Sequence, residues 1–153
     1  MKNLLWLNDV NENIEKFLES LKSDDNKYNF RPSKNGLEES GEKLNLGFSC
    51  YALKIFFITG LWDKLDDQKK KEWVDNINSF QKTQKKFPEN SFIDDEYVKY
   101  FHLEQNKQIL KNSVKKVLNF FPNFKYLTKN ELLMNSIRAE SKQAISTLYQ
   151  VNT

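Results

Sequence analysis

The sequence predicts an all-α fold, and three observations carry that prediction. The chain has 153 residues with only 4 Gly and 3 Pro, where average usage would give about 11 and 8, so collagen-like, Gly/Ser-linker and turn-dense all-β architectures are disfavoured. Apolar residues recur at helical spacing along much of the chain. Finally, 12 Phe, 6 Tyr and 3 Trp supply enough apolar area to offset the entropy lost on folding. A chain of this length buries roughly 70% of its unfolded surface, so residues 1–153 read as a single helical domain with a real core.

Five main helices follow in order. Val10, Ile14, Phe17, Leu18 and Leu21 form one stripe, the first helix, which stops at the cap-and-turn residues Ser23 to Lys27. The stretch up to Gly41, with Pro32 and Gly36, reads as the longest loop, and a connection of that length often belongs to a binding surface. Leu46 to Leu61 is apolar on most sides, with Lys54 its only charge, and predicts a buried helix stopped at Gly60. Asp66 or Asp67 can cap a third helix, in which Trp73, Val74, Ile77 and Phe80 mark one face and Lys69 to Glu72 the other. A buried helix, a short turn and a one-faced helix make an inner/outer hairpin. After the basic loop from Lys82 to Asn90, Leu103 to Phe121 predicts a fourth helix ended by Pro122. Thr128 and Glu131 stand at capping-box spacing before a last stripe of Ile137, Ala144, Ile145, Leu148 and Val151.

Charge narrows the chemistry. Lys+Arg 24 against Asp+Glu 21 gives +3, which suits solubility rather than a nucleic-acid footprint. Arg31 and Arg138 are the only arginines, so bidentate reading of bases or phosphates is disfavoured and no nucleic-acid partner is expected. The opening Met1 to Asp9 fails as a signal peptide, and no apolar run approaches the roughly 18 residues that read as a membrane span. One cysteine, Cys50, fits a reducing compartment, and the chain reads as cytoplasmic by default.

No motif is catalytic by itself. His102 is the only histidine and has no Cys/His cluster around it, so no metal site and no cofactor is expected. Cys50, on the buried helix, reads as a small hydrophobe. The pairs Asp24-Asp25, Asp66-Asp67 and Asp94-Asp95 fall at helix ends, where capping explains them; Asp94 could instead offer a carboxylate to a ligand. The lysines at 69–71 and 82–86 read as solvated faces. Arg138, Glu140 and Gln143 gather as a polar patch on the last helix, either as a solvated turn or at the mouth of a cavity.

Three stretches carry a resemblance: Gly47 to Gly60 (GFSCYALKIFFITG), Trp73 to Gln81 (WVDNINSFQ) leading to Ser91-Phe92-Ile93-Asp94, and Arg138 to Tyr149 (RAESKQAISTLY). Together they resemble the α/α-toroid repeats of the terpenoid cyclase/prenyltransferase-like superfamily. The resemblance implies antiparallel hairpins alternating inside and outside a ring of about a dozen helices. This chain then corresponds to an incomplete ring, the N-terminal half of a toroid. The Asp-rich motif and zinc ligands of that superfamily have no counterpart here. What the resemblance implies for function is a lipid-linked or carbohydrate substrate, with Tyr51, Asp94, Arg138 and Glu140 as candidate contacts. The alternative is a non-catalytic helical module that completes its core through exposed apolar faces, with a partner or a second copy.

Overall fold

The computed structural model describes residues 5–24, 26–35, 37–107, 109–118 and 127–152. The fold is all-α apart from one very short hairpin. The helices are α1 (Leu5–Glu19), the single turn α2 (Glu39–Glu42), α3 (Leu46–Ile58), α4 (Asp67–Asn78), α5 (Asp95–Lys107), α6 (Ile109–Leu118) and α7 (Lys129–Val151). Strands β1 (Gln81–Lys82) and β2 (Ser91–Phe92) pair antiparallel, Gln81 opposite Phe92 and Lys82 opposite Ser91. No helix among the described residues is long and apolar enough to cross a membrane.

The hairpin of α3 and α4 forms for the reasons its sequence supplies. Gly60 takes φ 71° just past the end of α3, a left-handed conformation that a Cβ disfavours, and the chain turns there. A turn of 3₁₀ helix follows, and the Asp66 carboxylate then accepts the Lys69 N–H at 2.8 Å to open α4. Trp73 and Ile77 of α4 are buried, as the stripe requires. Around Trp73 gather Tyr28 and Phe30 with ring centroids at 5.4 Å, Phe56 at 4.9 Å and Trp62 at 6.2 Å. The capping box of α7 is complete: Thr128 Oγ1 accepts the Glu131 N–H at 3.2 Å, and Glu131 Oε2 accepts the Thr128 N–H at 2.8 Å.

Several expectations need correction. The segment after α1 is a loop among the described residues, as expected up to α2, but its first part is a packed strap: Lys22 bridges Phe30, while Tyr28 and Phe30 are buried against Trp73. Of the expected first stripe, Val10 and Phe17 are exposed, Ile14 is half-buried against the core, and Leu18 and, just past the end of α1, Leu21 are buried. The fourth helix begins earlier than expected, at Asp95, because the Asp94 side chain caps it; residue 108, between α5 and α6, lies outside the described residues, and in α6 Val114 and Val117 are exposed. Phe121 and Pro122 lie outside the described residues. Ile145 is exposed, because it lies about 100° round α7 from the buried Ala144. In α3, Leu46, Ser49, Cys50, Ala52, Leu53 and Phe56 are buried, but Tyr51 and Ile58 are exposed, so the helix is covered on one side only.

Helix α7 is the spine of the molecule. Its C-terminal half packs on α3: Gln143 Nε2 donates to Gly47 O at 3.1 Å, and Thr147 sits beside the Cys50 thiol, so the two helices run in the same sense. Its N-terminal half packs on α5 in the opposite sense, from Phe92 and Ser141 at one end, through Ile93 and Ile137, to His102 and Asn130 at the other. Two apolar clusters result. The larger joins α1, the strap, α3, α4 and Ala144; the smaller joins Ile93, Leu133 and Ile137 with Phe87, Tyr97, Val98 and Phe101.

Candidate functional site

The two clusters meet where α3 and α5 begin, and one buried carboxylate stands at that junction. Asn45 occupies the N-cap position of α3 but its side chain does not cap the helix. Asp94, 49 residues further on, does so instead: its Oδ2 accepts the N–H groups of Asn45 at 2.8 Å and Leu46 at 3.1 Å. Its Oδ1 accepts the N–H groups of Glu96 at 3.0 Å and Tyr97 at 3.4 Å, which opens α5. Since α3 and α5 leave this point in opposite senses along α7, two positive helix ends face each other across a single carboxylate that is 4% exposed. Four backbone donors on two oxygens fill the accepting capacity of the group, which makes Asp94 a structural clamp.

Glu140 of α7 is the second carboxyl here. It is half-buried, and its Oε2 is buried with no hydrogen-bond partner among the described residues. Its pKa is pushed up to about 7, first by burial and second by the negative Asp94 carboxylate nearby. A carboxylic acid that titrates near neutrality can give or take a proton at physiological pH, which an ordinary glutamate cannot do efficiently. Two further buried polar atoms in the first turns of α3, Asn45 Oδ1 and Ser49 Oγ, also have no partner among the described residues.

Of the four candidate residues, the structure brings Asp94 and Glu140 together and leaves the other two apart. Tyr51 is 56% exposed on the uncovered side of α3. Arg138 is exposed and lines a shallow groove of about 530 Å³ with Leu127, Met134 and Asn135. Two residues on a helix are separated by about 200°, so Arg138 and Glu140 sit on opposite faces of α7, and the patch expected from their proximity in sequence does not form. Gln143 shares the buried side with Glu140 and is spent on Gly47 O.

The remaining residues fall as their surroundings dictate. Cys50 is fully buried and its thiol is pushed up to about 12, chiefly by burial, so it carries no thiolate near neutrality. Asp24 pairs with Arg31 at 2.8 Å, Asp95 with Lys82 at 2.6 Å, and Asp66 caps α4; Asp25 lies outside the described residues. Among the described residues no group of three or more His, Cys, Asp or Glu side chains is gathered to hold a metal ion. Sequence reasoning missed Asn45, Ser49 and Ser141, whose Oγ accepts the Phe92 N–H at 3.0 Å and fixes β2 to α7. Asn45 before an apolar run is a readable capping signal; that a distant aspartate supplies the capping oxygen is not. The chain matches no family model, no curated protein and no solved structure.

Proposed function

We propose that this chain is a helical binding module that associates with a second copy of itself, the uncovered sides of α3 and α7 on each copy meeting the exposed stripe of α1 on the other. The observation that carries this reading is the exposure of large apolar side chains at helix-packing spacing: Tyr51 at 56% and Ile58 at 72% on α3, Ile145 at 56% and Tyr149 at 73% on α7. Charge favours a second copy as the occupant. Arg138 and Lys142 flank the α7 stripe, whereas exposed Val10 and Phe17 on α1, about two helical turns apart, are flanked by Asp9, Glu12, Glu15 and Glu19 against the one cation Lys16. An acidic-rimmed apolar stripe on one copy thus complements a basic-rimmed one on the other, and a two-fold arrangement uses both pairs at once. The resemblance to α/α-toroid repeats supports the same reading, since a toroid hairpin buries its open faces against neighbouring hairpins.

Light scattering on eluting protein tests it. A dimer that dissociates on dilution or in high salt is expected, and Ile145→Ser with Tyr149→Ser should give a folded monomer. A wild-type chain that stays monomeric at millimolar concentration would overturn the reading. The catalytic alternative, a lipid-linked or carbohydrate substrate contacted by Tyr51, Asp94, Arg138 and Glu140, has one observation in its favour, the near-neutral Glu140 carboxyl. A substrate seated there would displace that titration, as followed by carboxyl ¹³C NMR.

A further inference from the structure

A separate cleft lies at the other end of the molecule, between the loop that joins β1 to β2, α5 and the first turn of α7. Its volume is about 460 Å³, within the range that holds small organic ligands. Its apolar floor is Phe87, Val98 and Leu133, all belonging to the smaller core cluster. Its polar rim comes from three elements: Gln84 and Lys86 from the loop, His102 from α5 and Asn130 from α7.

The loop is tied down, so the rim is positioned rather than loose. Lys82 Nζ pairs with Asp95 Oδ2 at 2.6 Å, and Gln84 Nε2 reaches Asp95 Oδ1 at 3.5 Å. The Phe87 N–H donates to Gln84 O at 3.0 Å, and the Phe87 ring enters the core. Ser91 Oγ donates to Pro88 O at 2.6 Å where the loop returns to β2. Lys82 is therefore neutralised, but Lys86 takes part in no ion pair among the described residues. Among the described residues no carboxylate lines the cleft. One unopposed ammonium, an imidazole and two carboxamides above an apolar floor is a donor-rich rim without a counter-charge.

We propose that this cleft binds a small amphiphilic organic anion, whose carboxylate lies between Lys86 and His102 and whose flat apolar body lies on Phe87, Val98 and Leu133. Asn130 and Gln84 orient the head group. The probe is 2-naphthoate, added to ¹⁵N-labelled protein, with naphthalene-2-methanol as its neutral counterpart. Saturable shifts of the Lys86, Phe87, His102 and Asn130 amides are expected with naphthoate, with clearly weaker binding of the alcohol. Lys86→Met, which removes only a surface charge, should weaken naphthoate binding about tenfold, the equivalent of one charge-assisted hydrogen bond, with an unchanged circular dichroism spectrum. Competition by inorganic phosphate would support an anion-recognising rim. Absence of saturable shifts, shifts confined to other parts of the molecule, equal binding of the alcohol, or unaltered binding by Lys86→Met would each overturn the proposal.

Discussion

Glu140 is the side chain whose ionisation the fold perturbs in the most consequential way. Burial and the Asp94 charge favour its protonated form in the folded chain, raising the pKa from 4.5 to about 7. For a carboxyl raised by folding, the unfolded chain releases its proton first, so the group costs nothing below pH about 4 and progressively destabilises the fold from there to pH about 7, after which the cost is constant. The full cost is about 3 kcal/mol at most. Glu140→Gln should therefore be more stable than the native chain at pH 8, and the advantage should shrink to near zero at pH 4, as urea unfolding at the two pH values would show. A difference that does not vary with pH would mean that Glu140 is solvated. Asp94→Asn supplies the internal control: the Glu140 midpoint should fall because the repelling charge is gone, yet stay above 4.5 because burial remains the larger cause.

At the level of the helices, α4 is held by the ring of one residue. Trp73 is 2% exposed and touches the strap through Tyr28 and Phe30, α3 through Phe56 and the connecting turn through Trp62. Its Nε1 has no hydrogen-bond partner among the described residues, so its contribution is packing volume alone. Trp73→Leu should cost about 3 kcal/mol, and Trp73→Phe clearly less, in denaturant unfolding; equal costs would reveal a hydrogen bond that matters. The α4 stripe, its Asp66 cap, the Gly60 stop and the α7 capping box were all legible in sequence, because each is written within a few neighbouring residues. The strap was not: Tyr28 and Phe30 sit among polar residues, Pro32 and Gly36, and only Trp73, more than forty residues away, gives them a place to pack. For the same reason Asp94 was readable as a residue at a helix end but not as the shared cap of α5 and α3, and the inward turn of Glu140 away from Arg138 depends on which side of α7 the rest of the chain covers.

The whole molecule is two unequal cores on one spine. Fifteen buried residues make the larger cluster and three the smaller among the described residues, and α7 is the long helix shared between them. Local stability follows buried apolar contact, so the two ends should not open together. Amides of α3, α4 and Ala144 to Val151 should exchange only on global unfolding, whereas those of α5 and of Leu133 to Ile137 should exchange together through a smaller opening that leaves the larger cluster intact. The junction at Asp94 sets the boundary between the two, because opening α5 frees two of the four N–H groups that its carboxylate holds and leaves the α3 pair in place. Ile137→Ala sharpens the test: it removes volume from the smaller cluster alone, so protection should fall in α5 and the first half of α7 and stay unchanged in α3 and α4. Native-state hydrogen exchange with mass spectrometric readout measures both. Uniform loss of protection along the chain would show instead that the carboxylate clamp makes the two clusters one cooperative unit, with α7 transmitting any loss at one end to the other.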